Sequence, residues 1–262
     1  MIYCSGMLSL NCLVKPLRVL LLAGVAAVAI SACASNRGSM PSPDYSGMPA
    51  GQGQQSLVEL TARYKANPKD KAVAIHYAAA LRAVGQSQQA VSVLEISIGY
   101  HPGDVDISVA YAKALTADGR FDQSLQVLDN VIRPEAPDWN ALLVKGATLD
   151  QLGRNQEARQ LYTQALVYAP GEASIEANMG LSYAMTNELP AAEQHLRRAV
   201  QMRGATSQIR QNLALIVGLQ GRFEECRAIY AAELPPEQVE SNMAYVRALL
   251  TQQNRWDMIE QG

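Results

Sequence analysis

The sequence predicts an all-α solenoid of about five helical hairpins, closed at its C-terminal end by a capping helix. Three observations predict it. Gly85, Gly119, Gly153 and Gly221 are separated by 34, 34 and 68 residues, and Asn187 occupies the skipped step. Small side chains recur seven residues before these positions (Ala78, Ala112, Gly146, Gly180, Ala214) and five residues after them (Ala90, Ser124, Ala158, Ala192, Cys226). Large side chains recur in two further columns: Leu81, Leu115, Leu149, Tyr183 and Val217, then Leu94, Leu128, Tyr162, Leu196 and Tyr230. Gly and Asn are the residues that readily take the left-handed conformation ending a helix, so each marks a tight turn between a helix A and a helix B. The small columns let the two backbones approach, and the large columns fill the space on either side. One hairpin cannot bury its apolar face, but stacked neighbours share a continuous core.

The elements follow in chain order. Residues 1–32 read as a targeting segment: Lys15 and Arg18 precede a charge-free run from Val19 to Ile30. That run is short for a membrane span of ~20 residues and suits the apolar region of a signal peptide. It ends in Ile30-Ser31-Ala32-Cys33, which resembles a bacterial lipobox. The resemblance implies a diacylglycerol on the Cys33 thiol, cleavage before Cys33 and acylation of the new amino group. Several chains on one cysteine are needed for stable anchoring, because a single one gives only marginal membrane residence. Ala34 and Ser35 follow, with no Asp in the second position. In Gram-negative lipoproteins that pattern implies the outer membrane, with the body facing the periplasm. An ordinary signal peptide or an uncleaved anchor helix is the alternative.

After Cys33, residues 34–55 hold four Gly, three Pro and four Ser in 22 positions. Such a stretch buries too little apolar surface to offset chain ordering, so a flexible linker over 33–55 is expected. As a coil of 5–6 Å × √n its span is roughly 25 Å. The folded domain is expected over 56–252, opening with a lone helix at Ser56–Asn67 that covers the first hairpin. Pro68, Pro102 and Pro170 share a column, and each can close a helix. Two departures matter. Arg133-Pro134-Glu135-Ala136-Pro137 falls where helix B of the second repeat should finish, and Leu234-Pro235-Pro236 stops helix B of the fifth. Ser241-Asn242-Met243-Ala244 then echoes Asn178-Met179-Gly180 and Asn212-Leu213-Ala214 at a spacing of 30 rather than 34. Glu237–Thr251 is therefore expected to be the capping helix, followed by a tail at 253–262.

This column pattern resembles the tetratricopeptide repeat (TPR) over about residues 56–250, with five matches in phase. The resemblance implies a right-handed superhelix that binds other proteins. In that family helix A lines the concave face, and its fixed offsets imply a partner groove at Val109, Lys113 and Thr116, then Leu143, Ala147 and Asp150. The fourth repeat would add Ala177, Asn178, Leu181, Ala184 and Met185, and the fifth Gln211, Asn212, Leu215, Gly218 and Leu219. The last two sets are apolar for a surface and suit an amphipathic helix or an extended apolar peptide, unless some of these side chains pack against the next helix.

Composition narrows the functional classes. Of 262 residues 48% are hydrophobic and 18% charged, with a formal net charge of −2. Removing residues 1–32 leaves 20 basic against 24 acidic groups, a balance that attracts no phosphate backbone. His76, His101 and His195 fall in unrelated columns, with no HxxxH or CxxC spacing for a metal. Cys226 shares its column with Ala and Ser, so a buried small hydrophobe is the better reading than a nucleophile. Glu224, Glu225 and Glu233 belong to a solvated helix face, and the glycines of 47–53 lack the Lys-Ser/Thr of a phosphate loop. No enzyme, metal or cofactor is expected.

The stretches Asn212-Leu213-Ala214-Leu215-Ile216-Val217-Gly218-Leu219-Gln220-Gly221-Arg222-Phe223 and 231–246 (Ala-Glu-Leu-Pro-Pro-Glu-Gln-Val-Glu-Ser-Asn-Met-Ala-Tyr-Val-Arg) resemble the C-terminal end of the TadD family. Members of that family are TPR lipoproteins of Tad (Flp) pilus assembly. The resemblance implies a periplasmic role in helping the pilus secretin reach, assemble in or stay at the outer membrane. Two alternatives stand beside it. One is another outer-membrane assembly lipoprotein, such as a type IV pilus pilotin or a β-barrel assembly component. The other is an adaptor that regulates peptidoglycan enzymes.

Overall fold

The computed structural model describes residues 50–260, and every regular element among them is an α-helix. The signal segment, Cys33 and most of the linker lie outside the described residues. Helix α1 (Ala50–Ala66) is the lone opening helix. It starts before the expected boundary at 56: no proline follows Pro49 until Pro68, and Gln52, Gln54 and Gln55 favour the helix against the cost of Gly51 and Gly53. Five hairpins follow: α2 (Lys71–Ala83) with α3 (Ser87–Tyr100), α4 (Val105–Ala117) with α5 (Phe121–Asp129), α6 (Trp139–Gln151) with α7 (Asn155–Tyr168), α8 (Ala173–Met185) with α9 (Leu189–Gln201), and α10 (Ser207–Leu219) with α11 (Phe223–Glu233). Helix α12 (Pro236–Glu260) closes the array. It runs through the expected tail, since residues 252–260 contain neither Gly nor Pro. No helix among the described residues is long and apolar enough to cross a membrane.

The turns and the two early stops fall where the sequence puts them. Gly85, Gly119, Gly153 and Gly221 have φ between 74° and 82°, and Asn187 has φ 59°. Helix α5 ends at Asp129, before the Pro134–Pro137 segment, and α11 ends at Glu233, before Pro235.

A second periodic device holds the helix A starts. Asp70, Asp104 and Asp138, again 34 residues apart, accept the backbone N–H of Val73, Ile107 and Ala141 at 3.0, 3.1 and 2.9 Å. Thr206 does the same for Ile209 at 3.3 Å. Each such cap is worth ~1 kcal/mol. Glu172 shares the column but accepts instead from the Ser174 hydroxyl at 2.9 Å.

The small columns meet inside each hairpin. Ala90, Ser124, Ala158, Ala192 and Cys226 are fully buried. A Cβ added to Gly146 would stand 2.4 Å from Cε1 of Tyr162. One added to Gly180 would stand 2.9 Å from Cγ of Leu196 and 3.0 Å from the Ala192 carbonyl oxygen. Helix α12 occupies the place of a sixth helix A. Val239, Met243 and Val246 are buried in one cluster with Leu213, Ile216 and Tyr230. A Cβ on Gly218 would meet Cγ1 of Val246 at 2.8 Å. The same step from one helix A to the next joins Thr116 to Thr148 and Asp150 to Ser182 by hydrogen bonds of 2.8 and 2.7 Å.

Ion pairs tie the last repeats together. Glu193 accepts from Arg197 (2.7 Å), Gln220 (2.8 Å) and Arg222, while Glu225 accepts from Arg197 (2.5 Å) and Arg222 (3.1 Å). Burial pushes the Glu193 carboxyl up, but these donors outweigh it and hold it below its usual range. Arg210 does the same to Glu233 and Arg227 to Glu240. A depressed carboxylate contributes stability above its unfolded pKa, and that contribution disappears as pH falls through the folded value. The urea midpoint is therefore expected to stay level from pH 7 to about pH 5 and to fall below about pH 4.5. Glu193→Gln should shrink that fall, a comparison that circular dichroism at several pH values makes directly.

Candidate functional site

The surface formed by successive helix A elements is the candidate site, and the structure divides the residues expected there. Val109 is buried among Ala112, Leu128, Ala141 and Val144. Leu143 belongs to the cluster around Tyr162 and Ile175, and Ala177 to that of Leu196 and Leu213. These three, at the fifth positions of α4, α6 and α8, are core rather than groove.

Asp150 is also withdrawn from the surface. Only 5% exposed, its carboxylate accepts from Tyr162 Oη (2.7 Å), Ser182 Oγ (2.7 Å) and Asn155 Nδ2 (2.8 Å). Arg159 Nε in turn donates to Ser182 Oγ at 3.3 Å and its guanidinium lies 3.9 Å from the Tyr183 ring centroid. The result is a buried hub joining α6, α7 and α8. Burial and the adjacent Asp150 charge push the Tyr162 hydroxyl far above the usual phenol range.

What remains on the surface lies mainly toward the C-terminal end. Lys113, Thr116, Ala147, Asn178, Leu181, Ala184, Gln211, Asn212, Leu215 and Leu219 are half-buried, and Met185 is 52% exposed. Lys113 Nζ donates to Asn140 Oδ1 at 3.3 Å. Leu215 and Leu219 lean on the core formed by α10, α11 and α12. Gly218 is buried against Cys226 and Val246. The groove expected from the sequence stops at α10, although the Ser241-Asn242-Met243-Ala244 echo marks α12 as a further helix A. Tyr245, 59% exposed, falls in the Leu181 and Leu215 column, and Asn242 in that of Asn178 and Asn212.

Cys226, His195 and His101 have structural partners. The Cys226 thiol is fully buried and lies 3.5 Å from Met243 Sδ. Burial raises its pKa, the opposite of what activates a nucleophile. Burial and Cys226 likewise push Tyr230 up to about 12. His195 Nδ1 lies 2.7 Å from Glu176 Oε2, and the ring stacks on Tyr183. Arg198 Nε reaches Glu176 Oε1 at 3.2 Å. His101 Nε2 lies 2.8 Å from the Lys69 carbonyl oxygen. No group of three His, Cys, Asp or Glu side chains that could hold a metal occurs among the described residues.

Tetratricopeptide-repeat family models match residues 81–145 and 143–208. No curated protein matches the chain. Among solved structures, a thermophilic TPR protein of Thermus thermophilus is similar with a TM-score of 0.57 at 20% identity, covering 75% of this chain and 99% of that one. A TPR protein from Parabacteroides merdae gives 0.60 at 14% identity, covering 77% of each chain. At such identities the likeness shows the fold alone. With two repeat models in tandem over residues 81–208, a 34-residue register and hairpins stacked in chain order, the chain carries tetratricopeptide repeats and the solenoid fold they build.

Proposed function

We propose that this protein is an outer-membrane lipoprotein, anchored through Cys33 and facing the periplasm, that binds components of the Tad (Flp) pilus machinery and assists its secretin. The observation that carries the reading is the resemblance of 212–223 and 231–246 to the C-terminal end of the TadD family. The Ile30–Cys33 motif and the Gly/Ser/Pro-rich stretch behind it support a tethered location. The scaffold supports a role in binding rather than turnover, since Cys226, His101 and His195 are engaged in the contacts described above.

Affinity capture from membranes with the lipidated chain, followed by mass spectrometry, tests the role and the location together. Recovery of a secretin with the wild type and its loss with Cys33→Ala is the expected result. Recovery of peptidoglycan enzymes or of β-barrel assembly components instead would replace the pilus reading by one of those systems.

The partner face is tested separately. Leu181 is half-buried and outside the core clusters, so Leu181→Glu is expected to weaken partner capture about tenfold or more while leaving the helical circular dichroism unchanged. Leu215→Glu is a poorer probe, because Leu215 also supports the core. Undiminished capture by Leu181→Glu would remove this face from the site.

A further inference from the structure

We infer that the solenoid bends at one joint, between the second and third hairpins, with segment 133–137 as its hinge and the Asp129–Lys145 ion pair as its catch. The bodies that turn against each other are residues 50–132 and 138–260. This goes beyond the binding role and does not rest on the pilus assignment.

In a linear array each repeat touches only its neighbours, so the weakest interface decides where the array bends. Among the described residues, three of the four joints between hairpins lie inside a large apolar cluster. Leu94 of the first hairpin shares one with Ile107 and Leu115 of the second. Tyr162 shares another with Ile175 and Met179, and Leu196 a third with Ile209 and Leu213. The Asp150 hub reinforces the second of these. Between the second and third hairpins the bridging cluster is Val109, Ala112 and Leu128 against Ala141 and Val144. Half-buried Leu125 and Ile132 are what the second hairpin adds to the Tyr162 cluster. With one Ala and one Val on the α6 side of the bridging cluster, less apolar area holds the two bodies together. Polar links take part of its place: Thr116 and Ser124 meet Thr148 Oγ1 at 2.8 and 3.2 Å, and Lys113 reaches Asn140 at 3.3 Å. Each such bond contributes little net stability.

The helix B layer is open at the same joint. Helix α5 has nine residues against 14 in α3 and in α7, because the prolines at 134 and 137 cannot continue it. A crevice of ≈ 310 Å³ lies between α5 and α7, with α6 as its floor. Leu125, Leu149 and Leu161 form its apolar part, and Gln160 stands at its rim. That space lets α5 swing toward α7 without driving one packed side chain into another. The hinge itself has little to break. Arg133, Pro134, Glu135 and Ala136 are exposed, and a single backbone hydrogen bond, from Ala136 N–H to the Arg133 carbonyl at 3.2 Å, lies within the segment. Lys145 Nζ donates to Asp129 Oδ1 at 2.5 Å and ties the last residue of α5 to α6. With the Asp129 side chain 57% exposed, water competes for this pair and it releases readily. The small side chains Ala112 and Ala141 form the pivot, where α4 and α6 slide by the small amounts that packed helices allow. Swinging α5 turns α2 and α4 against α6 and the helices after it, so the row of helix A elements changes curvature at a single point.

The test uses the full chain in detergent, with pairs of spin labels attached through a non-cysteine handle so that the native cysteines stay untouched. Ser92, Gln126, Gln160, Gln194 and Ala228 are exposed and hold one position on α3, α5, α7, α9 and α11. Labels two repeats apart stand roughly 20 Å or more from each other, a distance that double electron–electron resonance measures. The pairs 92/160 and 126/194 span the joint, and the pair 160/228 does not. The expected result is a distance distribution about twice as wide for each of the first two as for the third. Asp129→Ala opens the catch without touching the core, and it should widen the first two further while leaving the third unchanged. Equal widths for all three pairs in the wild type would overturn the inference, because bending would then be spread along the array or absent. Widening of all three pairs by Asp129→Ala, or of none, would overturn it as well. None of these outcomes bears on secretin capture, so failure here and failure of the pilus assignment are read separately.

Discussion

Asp150→Ala is expected to destabilise the middle of the stack by on the order of 3 kcal/mol. The carboxylate satisfies three donors from two other helices, Tyr162, Asn155 and Ser182, at 2.7–2.8 Å. Truncation leaves the Tyr162 hydroxyl buried and unpaired and the Ser182 O–H without its acceptor, although Arg159 still donates to Ser182 Oγ, and each buried group so deprived costs ~1–3 kcal/mol. Tyr162→Phe removes a donor and its need together, so its cost should be the smaller of the two. Urea denaturation of both variants makes the comparison. A loss below about 1 kcal/mol for Asp150→Ala would mean that the hub is not what joins the third and fourth repeats.

Gly146→Ala is expected to cost about 1–3 kcal/mol by overpacking. The added Cβ would stand 2.4 Å from the Tyr162 ring, and the ring cannot withdraw freely while its hydroxyl is held by Asp150. Elsewhere the same pair of columns reads Ala78 with Leu94, Ala112 with Leu128, Gly180 with Leu196 and Ala214 with Tyr230, so what sets the Gly146 site apart is the Asp150 bond that holds the Tyr162 ring in place. The penalty for Gly146→Ala should therefore fall to below about 1 kcal/mol in a Tyr162→Leu background, a coupling that a double-mutant cycle measures. Independent, additive effects would show that the two residues do not meet.

These two sites show where the sequence is legible. Small and large columns repeat in every hairpin, so period alone places the turns at Gly85, Asn187 and Gly221 and the close approach at Gly146. The caps at Asp70, Asp104 and Asp138 obey the same period but do not stand out, because a capping carboxylate looks like any surface acid until the helix start is known. The groove is less legible. Offsets in one helix cannot say which side chains the next repeat covers, and Val109, Leu143, Asp150 and Ala177 are covered. Asp150 carries a charge that argues for the surface, and only three donors from other helices, which no local pattern announces, draw it inside. Helix α12 reads as a cap in the sequence because its spacing to α10 is 30 rather than 34 residues, a shift produced by the early stop of α11 at Leu234-Pro235.

Hairpins in 34-residue register stack in chain order, and α12 continues the series. A crystal structure of residues 50–260 tests this most directly. The expected result is the Gly146 backbone against the Tyr162 ring and Val246 against Gly218. Strands in place of these helices, or an α12 detached from α10, would contradict it.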